Sequence, residues 1–403
     1  MQMVSKEKGT DFKRRKLVSV GFLILDTFLH KVSRIEILRH LAKQGYSVHL
    51  IGVRSGERYR RSSSEVQVIS IPLRYVPVIS PALFVIVLSV FLPFYVIAAR
   101  PDFIRTEPGP SIFSLIWMSI LPRSIGPRVI LDIRSTPVET VGLRGRLRVF
   151  FFNVSVLIAK KLFDGITTIT ILMREEICDK FHVDSESVGV WSSGVSPTLF
   201  DPEKFADRGM ELRKKFGLTD KFVIFYHGNF GVYRGITETI ESIEILKNEF
   251  HDLVLFLVGS GPVLSKMEKV IWSKGIQDMV IIHNPVDYLD VPKYIAMCDV
   301  GIVPLPDSPD WRHQCPLKLL EYLSMKKAVI VTDIPANREI IGKSECGIYI
   351  SRTDPIEIAK AITYAHDNRE RLKEWGSHGR AIIKEKHTWQ KKAEDFSNYL
   401  SKC

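Results

Sequence analysis

The stretch Phe-Val-Ile-Phe-Tyr-His-Gly-Asn-Phe-Gly-Val-Tyr-Arg-Gly, residues 222–235, carries the pattern that decides the fold. Its first five residues are apolar, β-branched or aromatic, which is typical of a buried strand. Gly228, Gly231 and Gly235 interrupt the strand, and helical periodicity begins near Ile236. A strand, glycine turn and helix in this order indicate an α/β fold whose turn can face a phosphate. Alone the signal is weak, because the spacing matches neither a Walker loop nor the complete dinucleotide fingerprint.

Short apolar runs alternate with helical patterns along most of the 403 residues, which predicts βαβ units and mainly parallel sheets. In the first half we expect strands at 17–25, 46–53, 66–73, 102–107, 128–134, 165–170 and 187–193, and helices at 32–44, 82–99, 110–121, 144–163 and 171–182. In the second half we expect strands at 222–227, 253–258, 279–283, 300–304, 328–332 and 347–350, with helices at 354–401. The pattern predicts two α/β domains, 1–200 and 201–403, joined near residues 195–205.

The excess positive charge lies in one half of the chain. The protein has 56 Lys and Arg against 45 Asp and Glu, a net charge of +11. Residues 1–200 contain 27 Lys and Arg and 16 Asp and Glu, so residues 201–403 are neutral. A basic half favours a phosphate-rich or anionic membrane partner. Nucleic acid is disfavoured, because the basic residues accompany apolar runs rather than aromatic side chains along a polar groove.

The five cysteines are scattered at spacings that suit neither zinc nor a redox dithiol, so no metal is expected. Their distribution favours a reducing compartment. After the basic N-terminus, residues 17–25 indicate a strand rather than the core of a signal peptide, and a cytoplasmic location is expected.

One apolar segment is unusually long. No charged residue occurs between Tyr75 and Ala99, and residues 82–99 approach the ~20 residues that cross a ~30 Å hydrocarbon core. A single span is disfavoured because strands on both sides are expected in one sheet, and Pro93 would kink a helix there. Two interpretations stay open: a buried helix that covers the sheet, or a helix with one face in the membrane interface.

The segment 143–163 has the composition of an interfacial basic amphipathic helix. Its basic residues are Arg144, Arg146, Arg148, Lys160 and Lys161, and its apolar group includes Phe150, Phe151 and Phe152. Because each basic group near an anionic leaflet contributes ~1 kcal/mol, the cluster predicts reversible docking on a membrane surface. Packing of the phenylalanines in the core is the alternative.

Two further segments are candidate ligand-binding elements. The apolar run 253–258 ends in a tight turn with Gly259 and Gly261, at the sheet edge where ligands of such folds bind; a purely structural turn is the alternative. In residues 316–323, Pro-Leu-Lys-Leu-Leu-Glu-Tyr-Leu, Lys318 and Glu321 share one helical face. There a carboxylate can accept both hydroxyls of a ribose while Lys318 faces a diphosphate. A surface salt bridge is the alternative, but the surrounding apolar residues favour a packed helix.

These motifs, together with the junction from Ser193 to Pro202, resemble in their order the retaining glycosyltransferases of family 4. The resemblance covers the C-terminal half densely and the N-terminal half loosely. It is strongest to members that build cell-surface polysaccharide or lipid-linked glycans, where the turn reads Gly-Asn-x-Gly and the helix Pro-x-Lys-x-x-Glu-Tyr. It implies the GT-B fold, with two facing Rossmann-like domains, parallel sheets and a cleft between them.

The resemblance implies roles for the residues that match. Glu321 corresponds to the second of two paired glutamates and is expected to hold the donor ribose. Arg234 corresponds to the basic residue that binds the donor diphosphate, and is expected to take part in catalysis. The other donor-binding residues that it implies are Gly228, Asn229, Gly231, Gly259, Gly261 and Lys318.

Two positions depart from the family pattern. His313 stands where the first paired glutamate occurs, so its contact with the transferred sugar is an open question. Asn229 stands where many members have a second basic residue, which leaves Arg234 and Lys318 to neutralise the diphosphate.

In the first half, Asp132 ends an expected strand, approximately where many family members place a histidine over the donor sugar. We take Asp132 as a catalytic candidate and Arg134 as a sugar-contacting candidate beside it. An Asp–Arg pair that caps the next segment is the equal alternative. The loop 26–31 lacks the family's paired glycines, so no acceptor contact is transferred to it.

The sequence therefore predicts a cytoplasmic enzyme, peripheral at the inner face of the cell membrane. It would move a sugar from a nucleoside diphosphate sugar to a lipid-linked or other membrane-associated glycan acceptor, without a metal or other cofactor. The resemblance implies retention at the anomeric carbon. Two alternatives stay open: a nucleotide-sugar epimerase of the same fold, and a catalytically inactive GT-B subunit, which the missing glutamate permits. Sugar, base and acceptor are not specified.

Overall fold

The apolar runs of the first half form one sheet. The structure, a computed structural model, describes residues 15–24, 32–54, 65–73, 76, 79–122, 124–138 and 142–403. The strands are β1 (Lys16–Ile24), β2 (Ser47–Arg54), β3 (Val66–Pro72), β4 (Phe103–Thr106), β5 (Arg128–Ile133), β6 (Gly165–Thr168) and β7 (Val188–Val190). They lie in the order β3-β2-β1-β4-β5-β6-β7, and the pairings from β3 to β5 are parallel.

The second half forms a six-stranded parallel sheet. Its strands are β8 (Phe222–Asn229), β9 (Leu253–Ser260), β10 (Val280–His283), β11 (Val300–Val303), β12 (Ala328–Thr332) and β13 (Gly347–Ile350). They lie in the order β10-β9-β8-β11-β12-β13. This is the doubly wound Rossmann order, in which the direction of winding reverses between β8 and β11. Ligands of such sheets bind beyond the carboxyl ends of the strands at that reversal.

Helices connect the strands, as the alternating pattern predicts. They are α1 (Val32–Lys43), α2 (Ile79–Ala99), α3 (Gly142–Leu162), α4 (Ile171–Phe181), α5 (Pro202–Lys215), α6 (Ile236–Leu246), α7 (Leu264–Lys274), α8 (Val291–Ala296), α9 (Pro309–Arg312), α10 (Leu317–Ser324), α11 (Pro335–Ile341), α12 (Pro355–Asp367), α13 (Arg369–Lys386) and α14 (Trp389–Lys402). The helix expected at 110–121 is a 3₁₀ helix, Pro110–Ile120.

The two elements that flank the glycine turn, β8 and α6, are both buried in the core of the second sheet. Alternate residues of β8, including Ile224 and Tyr226, are buried together with Ile236, Ile240 and Ile243 of α6. The three isoleucines recur at the spacing of one helical face, so α6 buries its apolar stripe in the same core as β8. The turn between β8 and α6 therefore starts and ends in buried elements.

The described residues divide into two compact units. The first comprises residues up to Asp132 with Leu147–Ile166 and Ser397–Cys403, and the second comprises Ile133–Arg146 and Thr167–Phe396. The division expected at residues 200 and 201 thus lies inside the second unit. The two ends of the chain meet in the first unit, where Arg15 Nη1 donates to Ser401 Oγ at 2.8 Å. These two residues are 386 positions apart in the chain. Local composition gives no sign of a contact at that distance, so the sequence pattern does not predict it.

Helix α2 is apolar on all sides but buried on one. The buried residues recur at every fourth position: Ser80, Phe84, Leu88, Leu92 and Val96. On the other side, Ile86, Val90, Phe94 and Ile97 are between 62% and 72% exposed. In length and composition α2 is the one helix among the described residues that could cross a membrane. The buried-helix interpretation of 82–99 therefore applies to one side of α2. The other side is open, and its place in a membrane interface stays a prediction.

Gly235 and Gly275 allow a test of how tightly the turn is packed. Both have left-handed backbone, with φ of +70° and +63°. A Cβ at Gly235 would lie 1.9 Å from Pro304 O, whereas a Cβ at Gly275 meets nothing within 4 Å. We expect Gly275→Ala to cost about 1–2 kcal/mol from the backbone alone. Gly235→Ala should lower the thermal unfolding temperature clearly more than Gly275→Ala does. Equal decreases in the two variants would contradict the close packing of Gly235 against Pro304.

Candidate functional site

The two glycine turns lie side by side at the carboxyl edge of the second sheet. In the parallel register of β8 and β9, Gly228 pairs with Gly259 and Asn229 pairs with Ser260. Gly228 has a φ of +118° and Gly259 a φ of +155°, which L side chains rarely adopt. A Cβ at Gly259 would lie 1.9 Å from Gly228 O, and one at Gly261 would lie 2.2 Å from Phe230 O. Only glycine permits this approach, so a ligand here would meet bare backbone.

Lys318 places a buried ammonium group under this turn. Its Nζ lies 3.6 Å from the position of a Cβ at Gly228 and 3.5 Å from the centroid of the Tyr226 ring. The nitrogen itself is buried and has no hydrogen-bond partner in the described part of the chain. Burial, and secondly the charge of Arg234, hold the pKa of Lys318 well below its usual value. An ammonium group with unused donors in a buried position is suited to an anion.

Arg234 lies on the same turn. Its guanidinium carbon is 4.6 Å from the centroid of the Trp311 ring, and Trp311 Nε1 donates to Tyr233 O at 2.8 Å. A Cβ at Gly231 would lie 3.0 Å from Arg234 Nε. Trp311 of α9 therefore contacts the turn in two ways: its Nε1 donates to the backbone, and its ring packs against the guanidinium of Arg234. Arg234 and Lys318 bring two cationic groups to the glycine turn.

Glu321 is the acidic group of the site, one turn along α10 from Lys318. Its side chain is 4% exposed, and its Oε2 lies 3.2 Å from Nε2 of His227. His227 precedes Gly228 on β8 and was not among the residues expected from the sequence. Its position directly before the glycine turn is the local signal that could have pointed to it.

His313 and Arg134 make other contacts within the second unit. Nδ1 of His313 lies 2.5 Å from Oε2 of Glu176, and its carbonyl accepts from Thr170 Oγ1 at 2.9 Å. Glu176 is a carboxylate from α4 that sequence reasoning missed. Arg134 lies flat on Trp191, with its guanidinium carbon 3.5 Å from the ring centroid, and donates to Trp191 O at 2.7 Å. Nothing in these contacts ties either residue to a sugar.

Asp132 belongs to the first unit and is 0% exposed. Its Oδ2 accepts from Nε of Arg105 at 2.7 Å, and Arg105 Nη1 also donates to Ser19 Oγ at 3.0 Å. In this conformation Asp132 has no exposed surface with which to contact a substrate; it is the counter-ion of a buried guanidinium. The loop 26–31 lies outside the described residues.

The described residues contain no group of three or more His, Cys, Asp or Glu side chains that could hold a metal ion. The donors that converge at the glycine turn are a guanidinium and an ammonium, which bind anions rather than metals.

Residues 210–382 match the family of glycosyl transferases group 1. The matched segment contains β8, β9 and α10, and with them every residue of the glycine turns, Arg234, Lys318 and Glu321. Residues 210–382 are therefore similar to the group 1 glycosyl transferases.

Curated relatives of the chain are distant. The alpha-D-kanosaminyltransferase of Streptomyces kanamyceticus is 24% identical over 204 residues, which are 50% of this chain and 51% of that protein. A GDP-mannose-dependent alpha-(1-6)-phosphatidylinositol monomannoside mannosyltransferase of Mycobacterium tuberculosis is 20% identical over 239 residues, or 59% of this chain and 61% of that protein. The chain thus spans about half the length of the first of these relatives.

Solved structures resemble the chain over almost its whole length. Anabaena Alr3699/HepE in complex with UDP and glucose has a TM-score of 0.74 at 13% identity, over 97% of this chain and 100% of that one. A glycosyltransferase from Rickettsia africae has the same TM-score over 97% of this chain. The fold is GT-B, with two Rossmann-like parallel sheets, as the resemblance implied.

The buried Arg105–Asp132 pair gives a test of the role of Asp132. Asp132→Ala removes the nearer counter-ion of the buried Arg105 guanidinium and leaves it Glu107, whose Oε1 is 3.4 Å from Nη2. The variant should lower the free energy of unfolding by up to about 3–5 kcal/mol. Replacing both residues, as Arg105→Met with Asp132→Leu, should recover most of that loss, measured by chemical denaturation. A catalytic aspartate would instead give a stable Asp132→Ala protein without activity.

Proposed function

We propose that the chain is a glycosyltransferase that moves a sugar from a nucleoside diphosphate sugar to an acceptor, with retention at the anomeric carbon. The observation that carries the proposal is the buried ammonium of Lys318 beneath the glycine turn, which has no hydrogen-bond partner among the described residues and lies in the segment that matches the group 1 family. An anion that supplies the missing hydrogen bonds would remove the cost of this burial. A diphosphate bound at the turn would do so.

The two cationic groups account for the chemistry expected of such a donor. Breaking the bond between the sugar and the diphosphate leaves negative charge on the departing phosphate oxygen. Arg234 and Lys318 would stabilise that charge, and the backbone at Gly228 and Gly231 would add N–H donors. Fixed positive groups in a site shielded from water are usually the largest electrostatic contribution to such a step. No metal is required in this scheme.

Glu321 would bind the ribose in the nucleoside part of the donor. A carboxylate has two oxygens that accept hydrogen bonds, which matches the two neighbouring hydroxyls of a ribose. Its place on α10, one turn after Lys318, is consistent with a ribose that adjoins the diphosphate. The solved HepE complex with UDP supports a nucleotide donor for this fold. Asp132 has no role in the proposed mechanism because it is buried in the first unit.

For the acceptor we propose a lipid-linked glycan at the inner face of the cell membrane, to which the protein binds peripherally. The support is an apolar surface formed by the exposed side of α2 with Ile120 and Phe150, which are 81% and 56% exposed. The 3₁₀ helix joins its parts: Ser89 Oγ of α2 donates to Ser114 Oγ, and Phe113 contacts Phe151 of α3. Exposed apolar patches of this kind mark interaction sites.

The basic residues of α3 and the name of one curated relative favour a lipid membrane as the partner of this apolar surface. The basic residues Arg148, Lys160 and Lys161 of α3 are exposed beside its apolar residues. Basic and apolar groups together are typical of helices that lie in the interface of an anionic membrane. The mycobacterial relative is named for a phosphatidylinositol monomannoside substrate.

Donor binding is expected to depend on Lys318 and Arg234. In calorimetric titrations with UDP-, GDP- and ADP-sugars, one donor should bind, and Lys318→Met or Arg234→Ala should weaken it about 10- to 100-fold because each removes a charged hydrogen-bond donor. Lys360→Met is the matched control, since Lys360 is 70% exposed on α12. Failure of the wild-type protein to bind any donor would contradict the proposed function.

The lowered pKa of Lys318 also predicts a pH dependence. A bound diphosphate favours the ammonium form and raises this pKa, so donor binding takes up a proton. Affinity should therefore fall as pH rises between the pKa of the free protein and that of the complex. Lys318→Met should abolish the proton uptake, measured by calorimetry in buffers of different ionisation enthalpy.

Product analysis distinguishes the alternatives. NMR of the product should show the anomeric configuration of the donor; the opposite configuration would contradict retention. An isomerised donor formed without acceptor would indicate an epimerase. Donor binding without turnover on any acceptor would indicate an inactive subunit.

The apolar surface is expected to bind vesicles. Flotation with phosphatidylglycerol-containing vesicles should recover the wild-type protein. The double variant Val90→Ser with Phe94→Ser should reduce binding about 10-fold or more, because less apolar area is removed from water when the protein binds. Trp272→Ser is the control, because Trp272 is 74% exposed but lies on α7 of the second unit. Unchanged binding of the double variant would exclude this surface from docking.

A further inference from the structure

The His227 imidazole is the structural partner of the Glu321 carboxylate. Nε2 of His227 lies 3.2 Å from Oε2 of Glu321, and the two side chains are 12% and 4% exposed. Within residues 142–403 and the other described segments, the Glu321 carboxylate makes no other ion pair. A carboxylate buried to this extent requires a partner, because its charge is no longer hydrated.

The ring of His227 is held in place by two aromatic neighbours. It stacks on Phe225, with centroids 5.7 Å apart and planes at 25°, and meets the ring of Tyr322 edge-on at 5.3 Å and 86°. Tyr322 is itself fixed, since its hydroxyl donates to Phe225 O at 3.2 Å. The imidazole therefore cannot turn away from Glu321 without disturbing the contact between β8 and α10.

Packing alone does not explain a histidine at this position. A phenylalanine ring could fill the same space between Phe225 and Tyr322. What histidine adds is a ring nitrogen 3.2 Å from one carboxylate oxygen, a contact that a phenylalanine cannot make. A carboxylate that is held through one oxygen has a defined orientation, and its second oxygen has a defined direction.

We propose that His227 is a positioning residue that holds Oε2 of Glu321 and so presents Oε1 to the ribose of the donor. This inference rests on the proposed function, in which Glu321 accepts hydrogen bonds from the ribose hydroxyls. His227 acts through Glu321 and does not itself contact the ligand. Its loss should therefore impair the recognition of the ribose rather than that of the diphosphate.

The test compares each nucleoside diphosphate, UDP, GDP and ADP, with its 2′,3′-dideoxy counterpart by calorimetry. Wild-type protein should bind the ribose form of one base more tightly. His227→Phe keeps the aromatic packing but removes the nitrogen, and should reduce the ratio of the two affinities about 10-fold, because Glu321 then loses the polar contact that orients its carboxylate. His227→Gln restores an N–H donor and should recover much of the ratio.

Two comparisons separate positioning from a general structural role. Lys318→Met should weaken both ligands alike and leave the ratio unchanged, because it contacts the diphosphate. Glu321→Ala should abolish the ratio. If His227→Phe keeps the wild-type ratio, or weakens both ligands equally while lowering the melting temperature, the inference is wrong. Wild-type protein that binds none of the six ligands would overturn the proposed function, and this inference with it.

Discussion

The parallel register that sets Gly228 of β8 beside Gly259 of β9 is the constraint on which the candidate site depends. A side chain at Gly259 would collide with the carbonyl oxygen of Gly228, so only glycine lets the two turns run together. The chain then passes Arg234 and enters α6 through the left-handed Gly235. Buried elements hold both ends of this path. Electrostatic stabilisation is effective where the donor groups are fixed in advance, and burial of the flanking elements favours this.

Buried charge is handled in two ways in this protein, and the contrast separates structure from function. Arg105 and Asp132 are both buried in the first unit and satisfy each other, so removal of either is expected to harm the fold. Lys318 is buried without a hydrogen-bond partner, and Arg234 adds a second positive charge near it. In the first arrangement the charged groups are hydrogen-bonded to each other, whereas in the second the ammonium of Lys318 has no hydrogen bond within the described residues. A carboxylate at the end of an apolar strand therefore does not by itself identify a catalytic group.

Most of the fold is predictable from local pattern. The strand expected at 328–332 is β12 (Ala328–Thr332), and that expected at 222–227 is β8 (Phe222–Asn229), because the period of apolar residues reflects neighbours within one segment. The glycines, Arg234, Lys318 and Glu321 come from short motifs, and their roles in binding stay predictions. His227, Arg105 and Glu176 are missed, because each acts through a partner on another element. The exchange of segments between the two units is missed for the same reason.

The sequence by itself determined the α/β architecture, the positions of the glycine turns and the apolar composition of α2, since each is a property of residues close together in the chain. Only the tertiary structure decided which groups meet: that His227 lies against Glu321, that Asp132 is enclosed by Arg105, and that one side of α2 is buried while the other is open. Contact and burial depend on how distant segments pack. A single chain without its fold specifies the types of groups but not the distances between them.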